Sequence, residues 1–249
     1  MSFSNKVVIV TGASSGIGAT AAVAFSSEGA RVALVGRNKE NLAAVANKCK
    51  NSLVIVADVS DDVAIQSIIE KTIEKYGQID VLINNAGTGD GSGGLIDGEI
   101  IKCFDKIMNV NLRAAVFLTT LATPHLIKTK GNVVNISSIA GQMSPFHPGI
   151  MSYSISKAAL NHFTVCAATE LGPQGVRVNA ISPGPVVTSL LENSKLETTW
   201  EYFNEKTVLN KVSKPEEIAD LMLFLAGPKA ISITGSNFVC DNGMLIKCA

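Results

Sequence analysis

The sequence predicts an α/β fold in which a doubly wound parallel sheet of about seven strands carries helices on both faces. Short runs of Val, Ile, Leu and Ala alternate along the chain with longer segments of helical periodicity. The apolar runs are nearly continuous, which is typical of parallel strands that are buried on both faces. Strict β–α alternation with short connections also favours right-handed crossovers within one sheet.

Each predicted element follows from its local pattern and its flanking turn residues. The predicted strands are Lys6–Val10, Arg31–Val35, Leu53–Ala57, Ile79–Ile83, Asn132–Ile136, Val176–Ala180 and Asn237–Val239. The predicted helices are Ile17–Ser27, Lys39–Cys49, Val63–Tyr76, Ile100–Met108, Leu112–Ile127, Tyr153–Leu171 and Pro215–Leu225. The stretch from Thr188 to Lys211 is polar and is predicted to be irregular. Because no linker or repeat interrupts the pattern, residues 1–249 are predicted to form one domain.

Composition and charge exclude several classes of protein. Hydrophobic residues make up 47% of the chain and charged residues 17%, which excludes a disordered chain. The 21 basic and 21 acidic residues balance, so no net field favours nucleic acid or an anionic membrane. No targeting pattern and no span of ~18 apolar residues is present, which predicts a cytoplasmic protein without a membrane span. Low net charge with high apolar content predicts a homo-oligomer, either a dimer or a tetramer.

The cysteines and histidines give no sign of a metal site. The five cysteines and three histidines are scattered along the chain without ligand spacing or a Cys-x-x-Cys pair. A disulfide framework and a zinc site are therefore both disfavoured.

A glycine-rich loop, Thr11–Gly18, joins the first predicted strand to the first predicted helix. Glycines at such a joint allow a tight turn and close approach to a pyrophosphate, and the helix N-terminus attracts the anion. The candidate contacts are Gly12, Ser14, Ser15, Gly16, Ile17 and Gly18. From the loop alone, a plain strand-to-helix turn, a dinucleotide site and a methyltransferase site all stay open. A nucleoside triphosphate site is disfavoured because no Gly-Lys-Ser/Thr follows.

Tyr153 and Lys157 lie four residues apart near the start of a predicted helix, hence on one helix face. An ammonium beside a phenol favours the phenolate and lowers its pKa, so the pair is a candidate acid/base unit. Taken alone, such a pair is more often a core tyrosine beside a surface lysine. Ser138 and Asn84–Gly87 follow two predicted strands at the carboxyl edge of the sheet, where ligands bind. Asn111 lies at the joint between two helical patterns.

This ordered set resembles the short-chain dehydrogenase/reductase family over nearly the whole chain. The matching segments are Thr11–Gly18, Asn84–Gly87, Asn111, Ser138, Tyr153-x-x-x-Lys157, and Pro183-Gly184 followed by Thr188. A methyltransferase needs no such set of residues, so the set argues against a methyltransferase. The resemblance implies a Rossmann-type sheet and an oxidoreductase that moves a hydride between a nicotinamide dinucleotide and a carbonyl or alcohol. Carbonyl reductases and 3-oxoacyl-carrier-protein reductases are the similar types.

The resemblance also implies a role for each of four catalytic residues. Tyr153 would give a proton to the carbonyl oxygen, or take one from the alcohol in reverse. Lys157 would lower the Tyr153 pKa and bind the nicotinamide ribose. Ser138 would hydrogen-bond the substrate oxygen, with Ser137 as the nearest competitor for that role. Asn111 would hold a water that links Lys157 to solvent.

Further cofactor contacts follow from the same resemblance. Besides the glycine loop, Tyr153 and Lys157, they are Arg37, Asp58, Val59, Asn85, Ala86, Gly87, Pro183, Gly184, Val186 and Thr188. Asp58 would meet the adenine, and the segment from Pro183 to Thr188 would hold the nicotinamide carboxamide. The segment between Ser138 and Tyr153 is longer than in many members of the family. The substrate of a relative therefore does not predict the substrate of this protein.

The end of the second predicted strand favours NADP(H) over NAD(H). An NAD site usually has an acidic residue here for the ribose 2′-hydroxyl, whereas this chain has Gly36 followed by Arg37. Arg37 can bind a 2′-phosphate with two hydrogen bonds. Two points weigh against this assignment. Ser14 and Ser15 stand where many NADP(H) relatives have a basic residue, and Arg37 can also be a solvated surface charge.

The segment 188–211 corresponds to the family's substrate lid. Its Leu190, Leu191, Leu196, Trp200, Tyr202 and Phe203 suit either a hydrophobic substrate or internal and oligomer packing. The predicted substrate is a small hydrophobic carbonyl or alcohol, such as a steroid or isoprenoid ketone, a retinoid or a 3-oxoacyl thioester. The alternatives to an active enzyme are a non-catalytic dinucleotide-binding sensor and a subunit whose role is assembly.

Overall fold

The apolar runs of the sequence form parallel strands because their Val, Ile and Leu side chains suit a pleated surface that is covered on both faces. The computed structural model describes residues 2–89, 94–96, 98–145, 148–188 and 199–247. Within them the strands are β1 Val7–Thr11, β2 Arg31–Gly36, β3 Ser52–Val56, β4 Val81–Asn84, β5 Asn132–Ile136, β6 Arg177–Pro183 and β7 Asn237–Cys240. They form one seven-stranded parallel sheet, which confirms the predicted fold class, and the strand order is β3-β2-β1-β4-β5-β6-β7.

Helices connect the strands and cover the sheet. They are α1 Gly16–Ser27, α2 Lys39–Ala46, α3 Asp62–Tyr76, α4 Ile100–Met108, α5 Ala114–Thr129, α6 Met151–Leu171, α7 Trp200–Glu205, α8 Pro215–Ala226 and α9 Met244–Lys247. A π-helical turn, Asn109–Arg113, joins α4 to α5, and a 3₁₀ turn, Ile139–Gly141, follows β5. None of the helices in the described ranges is both long and apolar enough to span a bilayer.

The core forms two hydrophobic clusters, one on each face of the sheet. Alternation along β1 shows how the strands divide between them, because Val8 and Val10 belong to one cluster and Ile9 to the other. All three side chains are fully buried. Each such side chain contributes roughly 1.5–3 kcal/mol to folding through removal of apolar surface from water. The sheet is therefore a rigid platform for the loops at its edge.

The strand order reverses direction at β1, which lies between β2 and β4. The connections from β1 and from β4 leave on opposite sides at this point, so their loops diverge and open a crevice at the carboxyl edge. The Thr11–Gly18 loop follows β1, and Asn85–Gly87 follows β4. Both segments expected to bind a cofactor therefore border the same crevice.

The prediction of an irregular segment over Thr188–Lys211 is wrong for its described part. Residues 200–205 form α7, and the Thr199 hydroxyl caps it by accepting a hydrogen bond from the Tyr202 N–H at 3.3 Å. One or two turns of helix show too little periodicity to be read from sequence, and the same holds for α9. Residues 189–198, which include Leu190, Leu191 and Leu196, lie outside the described residues.

Element ends also shift by a few residues. The structure ends α2 at Ala46 rather than Cys49, and it extends β6 to Pro183 rather than Ala180. The extension of β6 follows from pairing with β7, in which Ser182 and Pro183 lie opposite Val239 and Cys240. Tertiary pairing, rather than local propensity, sets such boundaries.

Candidate active site

Three glycines shape the loop after β1. Gly12 and Gly16 have φ of +67° and +53°, the left-handed region that side chains rarely adopt. A Cβ at Gly12 would lie 2.7 Å from Asn85 Nδ2, and one at Gly18 would collide with the Gly12 carbonyl oxygen. The backbone is therefore as tight as a pyrophosphate cradle requires, and glycine is needed at each position.

The N-terminus of α1 faces this cradle. Ser15 precedes the helix with extended backbone, and its side chain makes no capping hydrogen bond, so the first N–H groups of α1 can bind an anion. Thr188 lies on the other side, because a Cβ at Gly16 would lie 3.1 Å from Thr188 Cγ2. This arrangement fits the diphosphate of a dinucleotide, because free backbone N–H groups and the positive end of the α1 dipole face the same space.

Asn85 and Thr11 fasten the loop after β4 to the loop after β1. The Asn85 side chain donates to the Thr11 carbonyl oxygen at 2.8 Å. Thr11 Oγ1 accepts from the Asn85 and Ala86 N–H groups at 2.9 and 3.0 Å and donates to the Ile83 carbonyl oxygen. Sequence reasoning gave Thr11 no role and made Asn85 a cofactor contact. The Asn85 side-chain Nδ2 group bonds within the protein, where it holds the loop after β1 in shape.

Tyr153 and Lys157 lie together near the start of α6, as the helical spacing predicts. Lys157 Nζ is 5.6 Å from the centre of the Tyr153 ring and donates to the Ile136 carbonyl oxygen at 2.8 Å. Lys157 is only 4% exposed, and this burial lowers its pKa to about 8. Burial raises the pKa of Tyr153, while a hydrogen bond with the Ser138 hydroxyl lowers it. The Tyr153 hydroxyl therefore keeps its proton at neutral pH.

The structure distinguishes Ser138 from its neighbour Ser137. Ser137 is buried and donates to the Lys157 carbonyl oxygen at 3.0 Å, which ties β5 to α6. Ser138 is partly exposed, and its hydroxyl accepts from the Ala140 N–H at 3.1 Å and lowers the pKa of Tyr153. The following turn lies against α6, since a Cβ at Gly141 would be 2.6 Å from the Ala158 nitrogen. Ser138 is thus the one of the two serines that lies near the Tyr153 hydroxyl.

Asn111 lies in the π-helical turn and is 1% exposed. Its Oδ1 accepts from the Thr88 N–H at 2.8 Å, and its Nδ2 donates to the Thr88 carbonyl oxygen at 2.9 Å. The same Nδ2 donates to Ser156 Oγ at 3.0 Å, and that hydroxyl donates to the Tyr153 carbonyl oxygen at 2.7 Å. Sequence reasoning missed Ser156, although its place beside Lys157 on the helix was a usable signal. The π turn brings Asn111 into contact with both the β4 loop and α6.

Gly87 lies between two of the predicted catalytic groups. A Cβ at this position would be 3.5 Å from Asn111 Oδ1 and 3.5 Å from Lys157 Nζ. Gly89 lies beside Tyr153, because its Cβ would be 3.7 Å from Tyr153 Cδ2. The loop after β4 therefore passes directly over the Tyr153–Lys157 pair.

The end of β2 forms a second, more exposed part of the site. A Cβ at Gly36 would lie 3.3 Å from Ser14 Oγ, so the glycine loop and β2 are in close contact. Arg37 Nη1 is 3.7 Å from Asp58 Oδ2, and the Arg37 side chain is 80% exposed. Asp58 accepts from the Ser60 N–H and hydroxyl at 2.9 and 2.8 Å, and chiefly the backbone hydrogen bond lowers the Asp58 pKa. An open pocket of about 550 Å³ adjoins Arg37 and Asp58.

The segment after β6 is held in place by backbone pairing. Val186 bridges to Ser213, and the Ser213 N–H donates to the Pro185 carbonyl oxygen at 3.1 Å. Gly184 packs against Asp241, where a Cβ on Gly184 would be 2.8 Å from the Asp241 Cα. This segment reaches the cradle through Thr188, so the two sets of predicted cofactor contacts meet.

The remaining predicted contacts have a less specific geometry. Val59 and Ala86 line a small internal cavity together with Asn111. Within the described residues, no group of three or more His, Cys, Asp or Glu side chains could hold a metal ion.

A doubly wound sheet with a glycine cradle at its switch point defines a dinucleotide-binding protein. A family model described as enoyl-(acyl carrier protein) reductase matches residues 12–245. Meso-2,3-butanediol dehydrogenase of Serratia marcescens is 38% identical over 98% of this chain and 96% of its own length. The 3-oxoacyl-[acyl-carrier-protein] reductase of Thermotoga maritima is 35% identical over 99% of this chain and 100% of its own length.

A solved structure agrees with these relatives. A short-chain dehydrogenase from Burkholderia cenocepacia, in complex with NADP, has a TM-score of 0.91 at 30% identity. The match covers 98% of this chain and 100% of that one. This chain belongs to the short-chain dehydrogenase/reductase family, whose members are oxidoreductases that bind a nicotinamide dinucleotide.

Proposed function

We propose that the protein is an NADP(H)-dependent oxidoreductase that interconverts a carbonyl and a primary or secondary alcohol on a small hydrophobic substrate. The observation that carries the proposal is the placement of Tyr153 close to Lys157, whose Nζ is 5.6 Å from the centre of the Tyr153 ring, and close to Ser138, whose hydroxyl lowers the Tyr153 pKa. This group lies at the same edge of the sheet as the glycine cradle. An acid/base hydroxyl and a dinucleotide site therefore border one crevice.

The nicotinamide supplies or accepts the hydride, and the protein's residues handle the proton. Tyr153 gives its hydroxyl proton to the carbonyl oxygen during reduction, and Ser138 hydrogen-bonds the same oxygen. The raised Tyr153 pKa keeps this proton available at neutral pH. The Lys157 ammonium favours the phenolate left behind and so opposes the effect of burial.

Reprotonation of Tyr153 is assigned to Lys157 and Asn111. Gly87 has no side chain, and the position of its missing Cβ is 3.5 Å from both Asn111 Oδ1 and Lys157 Nζ. A water held by Asn111 Oδ1 at this point can donate a proton to Lys157, after Lys157 has reprotonated Tyr153, and regain one from solvent. The Thr88 and Ser156 hydrogen bonds of Asn111 fix the orientation of its amide for this role.

The preference for NADP(H) rests on the end of β2. An acidic side chain at position 36 would have to move Ser14, whose Oγ lies 3.3 Å from the Cβ position, whereas Gly36 leaves this space free. The Arg37 guanidinium next to it is exposed and suits a phosphate. The NADP complex of the Burkholderia cenocepacia protein supports the proposal, because that protein has the same fold and binds the cofactor with the 2′-phosphate.

A second candidate is reduction of a 3-oxoacyl thioester. The full-length match to the Thermotoga maritima 3-oxoacyl-[acyl-carrier-protein] reductase favours it. The match to meso-2,3-butanediol dehydrogenase favours a smaller substrate instead. The complete set of Asn111, Ser138, Tyr153 and Lys157 is evidence against a non-catalytic sensor.

The proposal also includes one domain over residues 1–249, a homo-oligomer and a cytoplasmic setting, for the reasons that the sequence provides.

The test is oxidation of NADPH by the purified protein with hydrophobic ketones, aldehydes and 3-oxoacyl thioesters, with NADH in parallel. We expect turnover with NADPH that Tyr153→Phe abolishes while the variant still binds NADPH. Binding of NADPH without turnover on any substrate would point to the sensor. Faster turnover with NADH at equal concentration would refute the cofactor assignment.

A further inference from the structure

A third hydrophobic cluster connects the candidate active site to the C-terminal part of the chain. Its buried members are Ile139, Phe203 and Met244, which come from the turn after Ser138, from α7 and from α9. Met143, Trp200, Val212 and Leu245 are partly buried against them. Three elements that are distant in sequence therefore meet on one apolar contact beside Ser138.

The one-turn helix α9 is held in place by Asp241. A single turn of helix is not stable by itself, because nucleation costs more than its few hydrogen bonds return. Asp241 is 7% exposed, and its two carboxylate oxygens accept from the Gly243 and Leu245 N–H groups, each at 2.8 Å. Asp241 also packs on Gly184, so α9 is fixed relative to the segment expected to meet the nicotinamide.

The residues that follow the C-terminal end of α7 are hydrogen-bonded to α9 and to the residue pair before it. Lys247 Nζ donates to the Thr207 carbonyl oxygen at 2.8 Å, and the Leu209 N–H donates to the Asn242 carbonyl oxygen at 3.1 Å. Gly243, at φ +82°, lies so close to Val208 that its Cβ would be 2.8 Å from Val208 Cβ. The chain after α7 is therefore packed and hydrogen-bonded against α9 and the residues that precede it.

We propose that Met244 is a positioning residue that holds α7 against the turn after Ser138 and thereby sets the chain length of the apolar substrate. The inference rests on the proposed carbonyl reduction and assigns a specificity role to a residue outside its catalytic set. Met244 is 5% exposed and is the only buried residue that α9 contributes to the described structure. Truncation of Met244 to alanine removes apolar contact from the cluster that also contains Phe203 and Ile139.

The matched control lies on the same helix. Ile246 is a residue of similar size, but its side chain is 75% exposed, so Ile246→Ala removes comparable apolar atoms without opening the cluster. Met244→Leu is the conservative variant, because leucine keeps nearly the same volume. Circular dichroism and thermal unfolding show that each variant is folded before it is compared.

The kinetic readout is a series of aliphatic ketones that differ by single methylene groups. In Met244→Ala we expect KM for the best wild-type substrate to rise about tenfold, as a pocket change of one or two methylenes produces, while kcat changes less than about threefold. Ketones one or two methylenes longer should lose less, which shifts the optimum chain length. Met244→Leu should restore the wild-type profile, and Ile246→Ala should not alter it.

A second readout needs no substrate. Trp200 is the only tryptophan in the chain, and it packs partly buried against the cluster, so its fluorescence reports the position of α7. We expect a red-shifted emission maximum in Met244→Ala and an unchanged one in Ile246→Ala. Unchanged emission together with an unchanged chain-length profile would overturn the proposal. If the wild type shows no turnover but Met244→Ala still has a red-shifted emission maximum, the result would contradict carbonyl reduction and not the role of Met244 in positioning α7.

Discussion

The two halves of the crevice differ in how their side chains are held. On the β1–β2–β3 side, the backbone forms the cradle, and the charged group at the rim, Arg37, is 80% exposed. On the β4–β5–β6 side, Lys157 and Asn111 are 4% and 1% exposed, and hydrogen bonds link Asn111 to α6 through Ser156. Affinity for a charged ligand can come from solvated groups, whereas proton transfer needs fixed, dehydrated ones.

This difference teaches how strongly each half should respond to mutation. Groups that share partners in a buried network act as a unit, so losing one affects the others. Exposed ion pairs act nearly independently, and solvent screens them. We therefore expect substitutions in the buried network on the β4–β5–β6 side to lower kcat strongly. Substitutions at the exposed rim on the β1–β2–β3 side should change cofactor affinity by smaller factors.

The largest effect is expected from Tyr153→Phe. Removing the hydroxyl deletes the proton donor, which contributes about 10²–10⁴-fold in general acid–base catalysis, so kcat should fall by that factor. The ring stays, so NADPH affinity, measured by fluorescence titration, should stay within about threefold of wild type, since no charge-assisted hydrogen bond to the cofactor is lost with it.

A residue on the same helix provides the control for this substitution. Ile155 is 42% exposed on α6, and Ile155→Ala should leave kcat unchanged. Retention of more than a tenth of the wild-type rate by Tyr153→Phe would show that another group supplies the proton.

Arg37→Ala should weaken NADPH binding about 10- to 100-fold, the value of one or two hydrogen bonds to a charged group. NADH binding should not change, because NADH has no 2′-phosphate. The exposure of Arg37 places the effect at the lower end, and added salt should shrink it further. Isothermal titration with both cofactors measures the ratio.

Lys39 offers a matched cation for the Arg37 experiment. It is exposed at the start of α2, two residues beyond Arg37, so Lys39→Ala removes a nearby charge without removing the guanidinium. Equal losses of affinity from both variants would mean that NADPH responds to the general field and not to Arg37.

The pH dependence of reduction follows from Lys157. Its pKa of about 8 lies below its usual value, so the ammonium is present below pH 8 and is lost as the pH rises further. The raised pKa of Tyr153 keeps the phenol protonated over the same range. The kcat/KM for reduction should therefore be flat from pH 6 to 8 and then fall by up to about tenfold per pH unit.

Two results would contradict this assignment of the alkaline limb. A fall that begins only above about pH 10 would assign it to the phenol and not to Lys157. A rise between pH 8 and 9 would mean that the neutral amine is the active form.

The smallest effect is expected from Asp58→Asn, which breaks the exposed pair with Arg37. Such pairs contribute about 0.2–1 kcal/mol, so releasing Arg37 should improve the NADPH/NADH affinity ratio roughly two- to fivefold. The ratio cancels any loss of an adenine contact that both cofactors share. A lower ratio in the variant would show that Asp58 orients Arg37 for the phosphate instead of competing with it.

Local patterns in the sequence were enough to predict the sheet, the glycine-rich loop after its first strand and the placement of Tyr153 and Lys157 on one helix face, and the resemblance supplied their expected functions. The glycines at 12, 16 and 18 are required by backbone geometry within one short loop, and the Tyr153–Lys157 spacing is fixed by one helix. The choice of Ser138 over Ser137 came from the resemblance. The structure adds what distinguishes the two, because Ser137 donates to the Lys157 carbonyl oxygen, whereas the Ser138 hydroxyl lowers the pKa of Tyr153.

Contacts between distant segments could not be read from the sequence. The Asn111–Ser156 bond, the use of the Asn85 amide within the protein, and the cluster of Ile139, Phe203 and Met244 each join residues far apart along the chain. The short helices α7 and α9 form because of such contacts and not because of their own propensity. The sequence by itself determined which chemical groups the protein has and on which elements they lie. Tertiary structure decided which of them are buried and with what they pair, because burial and pairing depend on the packing of the whole chain.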